Sequence, residues 1–338
     1  MHQPSSGKRK GLPEALVGPL APAFADLSEF LKLQVNAFEP EVRPLVDYCL
    51  GHSGKQLRPL MVFSVGLESD EAVSDELLKA AAIVELVHLA TLVHDDILDE
   101  AELRHRTETV VARYGAHAAV LLGDALFAHA LNLAAEYPDV TVCRVVSQAT
   151  RQVCSGEIAQ TFARGESVPD LASYFRMIDL KTAELFAASA YLGAHLAGFD
   201  AAAKRAASAF ARHLGIAYQI FDDAVDLLAK ETAAGKTLGT DLDTGKYTLP
   251  VLYWLDAVPA ERVQRLAWLK SGEIDRMAFA GELRASGILH QLEGDFAHQL
   301  DSARKELKQL PGSRRCERLD RFVQFVDSAW NKVAGEAV

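Results

Sequence analysis

The stretch LLKAAAIVELVHLATLVHDDILDE, residues 77–100, decides how the chain folds. It is dominated by strong helix formers, and its apolar residues occupy more than one helical face, which predicts a central helix with other helices packed around it. Val120 to Ala135 and Ala203 to Ala229 have the same character. Proline placement supports long helices, because a proline inside a helix costs about 3 kcal/mol. Seven of the twelve prolines lie at or before Pro59, and only Pro138, Pro169, Pro250, Pro259 and Pro311 interrupt the remainder. Alternating strand patterns with hairpin turn pairs do not recur. With no composition shift and no repeat, the expected fold is all-α: one helical bundle or barrel over residues 16–338 behind a flexible tail over 1–15.

The 338 residues include 35 Lys plus Arg against 46 Asp plus Glu, a net charge of −11. That balance argues against nucleic acid as the main partner, since backbone phosphates are bound through clustered positive charge. The most apolar run, Ala80 to Val93, contains Glu85 and His88 and is too short to span a bilayer, so no transmembrane segment is expected. Cys49, Cys143, Cys154 and Cys316 are scattered without metal or disulfide spacing, which fits a reducing, cytoplasmic setting. Lys8-Arg9-Lys10 in the tail leaves a peripheral electrostatic contact with a membrane open.

Chemistry concentrates at the acidic end of the opening stretch. Asp95, Asp96 and Asp99 stand at i, i+1 and i+4, and Asp222, Asp223 and Asp226 repeat the spacing inside another apolar segment. Like charges one turn apart in apolar surroundings call for a compensating cation. Hard carboxylate oxygens select magnesium, or manganese in its place, and magnesium characteristically shares its shell with substrate phosphate. Lys55 and Arg58 in Gly54-Lys-Gln-Leu-Arg-Pro59, with Lys236 and Lys246 in a glycine-rich insert over Thr232 to Pro250, could meet such a phosphate. His88 shares a helical face with Asp95 and Asp99.

From about residue 20 onward the chain resembles the trans-isoprenyl diphosphate synthases, the polyprenyl synthetases. The motifs that carry the resemblance occur in order: Gly54 to Pro59, His94 to Asp99, Gly123-Asp124, Gly156-Glu157 with Gln160, Lys181-Thr182, Gln219 to Asp226, and Gly235 to Pro250. The resemblance implies an isoprenoid synthase-like helical barrel around a deep central cavity, and a homodimer. It implies up to three magnesium ions on Asp95, Asp96, Asp99, Asp222, Asp223 and Asp226, bridged by an allylic diphosphate such as the geranyl, farnesyl or geranylgeranyl ester. Arg104, Lys181 and Lys236 would assist that primer, while Lys55, Arg58 and His88 would hold isopentenyl diphosphate. The implied reaction ionises the primer to an allylic cation, flanked by Thr182 and Gln219, which the isopentenyl double bond attacks.

One position departs from the family pattern: His105 stands where a second arginine usually contacts isopentenyl diphosphate, with Arg106 beside it. A non-catalytic partner subunit is therefore an alternative, opposed by the intact aspartate clusters. A terpene cyclase is another, opposed by the second cluster and by the Lys55/Arg58 pair. Small side chains at Ala90 and Thr91, below the first cluster, imply a deep pocket and a product of roughly C20 to C50, of the octaprenyl-like group.

Overall fold

The computed structural model describes residues 12–52, 54–68, 72–104, 107–163, 168–228, 240–271 and 275–337. Among them are fourteen α-helices of eight or more residues: α1 (Ala21–Gln34), α2 (Arg43–Gly51), α3 (Leu57–Gly66), α4 (Asp75–Leu98), α5 (Ala116–Ala135), α6 (Val140–Ala163), α7 (Leu171–Ile178), α8 (Glu184–Leu196), α9 (Ala201–Leu228), α10 (Leu249–Ala257), α11 (Arg262–Lys270), α12 (Arg276–Ala285), α13 (Ile288–Leu307) and α14 (Ser313–Ala337). The expectation of an all-α chain holds. The helical part begins earlier than expected, because Glu14–Val17 already forms a helical turn and Leu16 is buried. One small sheet departs from the all-helical reading: Leu103–Arg104 pairs antiparallel with Thr107–Glu108.

The opening stretch becomes α4, started by Ser74, whose side-chain oxygen accepts from the Leu77 amide at 3.2 Å. Helices α1, α3, α5, α6 and α8 pack around it, and α9 continues the wall against α8 and α13. By length and composition α4 and α5 could each cross a membrane, but 67% of the apolar window of α4 is buried inside the fold. That burial is what an apolar helix achieves when surrounded by others rather than by lipid.

Between α7 and α8 the backbone widens into a single π turn, Asp179–Ala183, which carries Lys181 and Thr182. Such turns shift the direction of side chains within an otherwise continuous helix. Two glycines let neighbouring helices close onto it. A Cβ on Gly156 of α6 would lie 2.7 Å from the Lys181 backbone nitrogen, and one on Gly215 of α9 would lie 2.9 Å from Ala183 Cα. Arg212 of α9 clamps both ends of the turn, donating to Asp179 Oδ1 at 2.5 Å and to Glu184. Gly156→Ala should therefore force α6 away from Lys181 and cost about 1–3 kcal/mol as overpacking. Calorimetry should show Tm lowered by several degrees; an unchanged Tm would mean that this contact does not limit the packing.

Candidate active site

Helices α3, α4, α6, α7, α8, α9 and α14 together line a cavity of about 1790 Å³. The sequence-predicted residues Lys55, Arg58, His88, Thr91, Asp95, Asp99, Arg104, Lys181, Thr182, Gln219, Asp222, Asp223, Asp226 and Lys246 all reach its wall. His105 and Lys236 lie outside the described residues, as do Arg106 and positions 232–239 of the glycine-rich insert.

The acidic end of α4 is paired with cations from three other elements. Arg104, in the small sheet, donates through Nε at 2.9 Å and Nη2 at 2.7 Å to Asp96 Oδ1. Lys246 Nζ reaches Asp99 Oδ2 at 2.6 Å. Lys181, on the π turn, lies 3.6 Å from Asp95 Oδ2, donates to Gln160 Oε1 at 2.7 Å and contacts Glu157. Burial pushes the Asp95 carboxyl up to about 6 against the pull of Lys181, with Glu157 and Asp99 adding to the rise. Burial would lower the Lys181 ammonium, but Asp95 and Glu157 outweigh it and its pKa rises. The site is thus a set of largely half-buried charges that satisfy one another.

The i+1 member of each acidic cluster is buried and held by protein donors. Asp96 is buried, absent from the cavity wall and held by Arg104. Asp223 is also buried: Tyr174 Oη donates to its Oδ2 at 2.5 Å, Gln219 Nε2 to its Oδ1 at 2.7 Å, and the Leu249 amide approaches Oδ2 at 3.4 Å. Burial raises the Asp223 carboxyl to about 7, Asp241 raising it further while the bonds from Tyr174 and Gln219 lower it. Helical geometry turns Asp96 off the wall, since consecutive residues are rotated by about 100°. On α4 positions i and i+4 share the cavity face and i+1 does not, whereas on α9 Asp223 reaches the wall beside Asp222 and Asp226. The same rotation corrects Ala90, which is fully buried and off the wall; it lies about 140° from Asp95, whereas Thr91 lies about 40° away and does line the cavity.

Arg58 partly stacks on Phe186, its Cζ 4.7 Å from the ring centroid, and its Nη1 is 3.1 Å from His88 Nε2. Arginine only donates, so this ring nitrogen is the acceptor and the imidazole is neutral. Burial, then Arg58 and Arg104, hold the His88 pKa well below 6.5. Burial also lowers Arg58, opposed by Glu85. Arg58 Nε is buried without a hydrogen-bond partner among the described residues. The two non-glycine residues with positive φ among the described residues flank this machinery: Gln56 at φ 54° between Lys55 and Arg58, and Glu100 at φ 50° directly after Asp99. Such conformations cost about 1–3 kcal/mol and persist where surrounding structure demands them.

Sequence reasoning missed Tyr174, Asp241 and the grip of Glu157 on Lys181. Tyr174 sits two helical turns before Lys181, a spacing that places both on one side of α7 and the π turn, and this was the available signal. Asp241 lines the cavity, its carboxylate 3.9 Å from Lys246 and its amide 3.4 Å from Asp226 Oδ2. Among the described residues no three acidic, histidine or cysteine side chains converge tightly enough to cage a metal. Among the wall carboxylates, Asp95, Asp99, Asp222 and Asp226 nevertheless form an all-oxygen donor set, which fits a hard divalent ion completed by substrate oxygens and water.

A helical barrel enclosing a cavity with these clusters is the isoprenoid synthase fold. The structure of a decaprenyl diphosphate synthase from Rhodobacter capsulatus matches it with a TM-score of 0.85 at 26% identity, covering 95% of this chain and 99% of that one. A polyprenyl synthase from Caulobacter crescentus, complexed with calcium and isoprenyl diphosphate, matches with a TM-score of 0.82 at 30% identity over 96% of this chain and 99% of that one. In sequence, the family model for Polyprenyl synthetase matches residues 39–280. Octaprenyl diphosphate synthase of Haemophilus influenzae is 33% identical over 236 residues, 69% of this chain and 70% of that protein. The (2E,6E)-farnesyl diphosphate synthase of Mycobacterium bovis is 35% identical over 294 residues, 82% of this chain and 81% of that protein. The chain belongs to the polyprenyl synthetase family and is a prenyltransferase, as the resemblance implied.

The neutral state of His88 has a measurable consequence. Its folded pKa is below the 6.5 of the free group, so the unfolded chain takes up the proton first. Its contribution is complete above pH 6.5 and is lost as pH falls below that value. His88→Gln should flatten the acid limb of the stability curve by up to about 1.4 kcal/mol per pH unit in urea titrations between roughly pH 6.5 and pH 5. Parallel curves for the two proteins would mean that His88 is not held neutral.

Proposed function

We propose that this chain condenses isopentenyl diphosphate head-to-tail with an allylic diphosphate primer and requires magnesium. The observation that carries this reading is the shared cavity wall, where Asp95, Asp99, Asp222 and Asp226 stand with Lys55, Arg58, Arg104, Lys181 and Lys246. A carboxylate cannot hold a diphosphate by itself, whereas the five cations can do so directly. Asp95 and Asp99 from α4 and Asp222 and Asp226 from α9 would hold up to three magnesium ions. Bound there, magnesium supplies Lewis-acid stabilisation of the departing diphosphate.

The remaining steps use the protein's own groups. Arg104, Lys181 and Lys246 would neutralise the allylic diphosphate as its C–O bond breaks. Lys55 and Arg58 would orient isopentenyl diphosphate, with the buried donor Arg58 Nε available to an anion. The buried position and neutral ring of His88 let it position Arg58 without adding charge. Thr182 Oγ1 donates to Gln219 Oε1 at 2.8 Å, which leaves oxygen lone pairs on the wall and directs the Thr182 proton at Gln219. The electron pair of the isopentenyl double bond forms the new C–C bond to the allylic carbon, and the released diphosphate takes the proton then lost from the adjacent carbon, whose C–H pair restores a double bond. The helical walls of the cavity would shield the cation from water that would trap it as an alcohol.

The cavity volume, about 1790 Å³, exceeds the roughly 300–1,000 Å³ of ordinary ligand pockets. With the small Thr91 on the wall, it supports products beyond C20, bounded on the α5 and α6 side by Phe127, Val153 and Cys154. Exposed Val120 and Leu121 on α5, with Ile158 and Phe162 on the adjoining α6, form an apolar surface that supports a homodimer. Incorporation of labelled isopentenyl diphosphate into geranyl or farnesyl diphosphate tests the reading. Elongation past C20 that stops on chelation is expected, and Arg104→Ala should lower turnover by about a hundredfold. Absence of elongation with every primer would contradict it, and an undiminished rate in the Arg104 variant would remove that residue from its role.

A further inference from the structure

Tyr174 belongs to none of the motifs that carry the family resemblance, yet it is fully buried and its hydroxyl is spent on one carboxylate. A chain of hydrogen bonds runs inward from it. Tyr174 Oη donates to Asp223 Oδ2, Gln219 Nε2 donates to Asp223 Oδ1 at 2.7 Å, and Thr182 Oγ1 donates to Gln219 Oε1 at 2.8 Å. The chain has one polarity. Asp223 Oδ1 takes the NH₂ end of the Gln219 amide, so the carbonyl end faces Thr182. The Thr182 proton then points at Gln219 rather than into the cavity.

We propose that Tyr174 is a positioning residue: by holding Asp223 inward it fixes the Gln219 amide so that the oxygens of Gln219 and Thr182 face the allylic cation. Freed from Tyr174, Asp223 could rotate towards the charges of the wall, and the Gln219 amide would lose the acceptor that sets its orientation. A flipped amide would present N–H donors to a positive centre, which destabilises it. Tyr174 thereby separates the three aspartates of the second cluster into two kinds: Asp222 and Asp226 serve the cavity, and Asp223 serves the cation-facing pair. The inference rests on the prenyl-transfer reading above.

Tyr174→Phe keeps the ring and removes the bond. In single-turnover assays on the full chain with saturating magnesium, the variant should react about ten- to a hundredfold more slowly. KM for both diphosphates should stay within about twofold, because the hydroxyl touches neither binding group. The rate ratio between an allylic primer and its fluoromethyl analogue, whose cation is destabilised, should widen in the variant. In a Gln219→Ala background, adding Tyr174→Phe should cost less than about twofold, because the two act as one unit. As a readout independent of turnover, the Gln219 side-chain amide resonance, identified by its loss in Gln219→Ala, should shift in Tyr174→Phe. If Tyr174→Phe does not fold, Asp223→Asn should widen the same fluoromethyl ratio. An unchanged ratio with an unshifted amide resonance overturns the proposal while leaving prenyl transfer intact. A wild-type chain that elongates no primer overturns both.

Discussion

The pairing of half-buried and buried carboxylates with half-buried cations at the end of α4 is the constraint on which the site depends. Asp95, Asp96 and Asp99 would repel one another and resist desolvation if left alone. Each is instead met by a cation from a different element: Lys181 from the π turn, Arg104 from the small sheet and Lys246 from the segment before α10. The ends of three separate elements are therefore drawn to one place by charge. The same pairing explains why no three carboxylates converge among the described residues: a cation already stands beside each in the first cluster. In the proposed reaction a diphosphate claims the cations while divalent ions claim the carboxylates, so substrate and metal each release the partner the other needs.

Such an exchange works only if the backbone holds the partners in reach throughout. Helix α4, buried on most of its circumference, supplies the fixed member. The π turn is pinned from three sides, by the close approach of Gly156 and Gly215, by the Arg212 clamp and by the Thr182–Gln219–Asp223–Tyr174 chain. Backbone strain at Gln56 and Glu100 lies next to the groups it aims. Packing energy from the surrounding helices maintains these positions, in keeping with the rule that strained conformations cluster where function requires them.

Much of this was legible in the sequence. Proline spacing and the apolar segments around residues 77–100, 120–135 and 203–229 predicted the helices, because those patterns report directly on burial and backbone geometry. The i, i+1, i+4 spacing located the clusters, and the motif order identified the family. What escaped is mostly rotational. Asp96 and Ala90 were grouped with their neighbours by proximity along the chain, although about 100° per residue already turns them from the face that carries Asp95 and Asp99. The Leu103–Arg104 and Thr107–Glu108 pairing is too short to leave an alternating pattern. The bond between Tyr174 and Asp223 joins residues 49 apart, and no local periodicity reports a contact of that range.

The coupling between metal and diphosphate tests the central claim most directly. Magnesium should be titrated calorimetrically into the protein with and without a saturating allylic thiolodiphosphate, which binds but does not ionise. If the two ligands exchange partners across one set of ion pairs, magnesium should bind at least about tenfold more tightly with the analogue present, and the analogue should gain by the same factor from magnesium. Equal magnesium affinities in the two titrations would show that the resting ion pairs are not what the ligands displace, and would contradict the account.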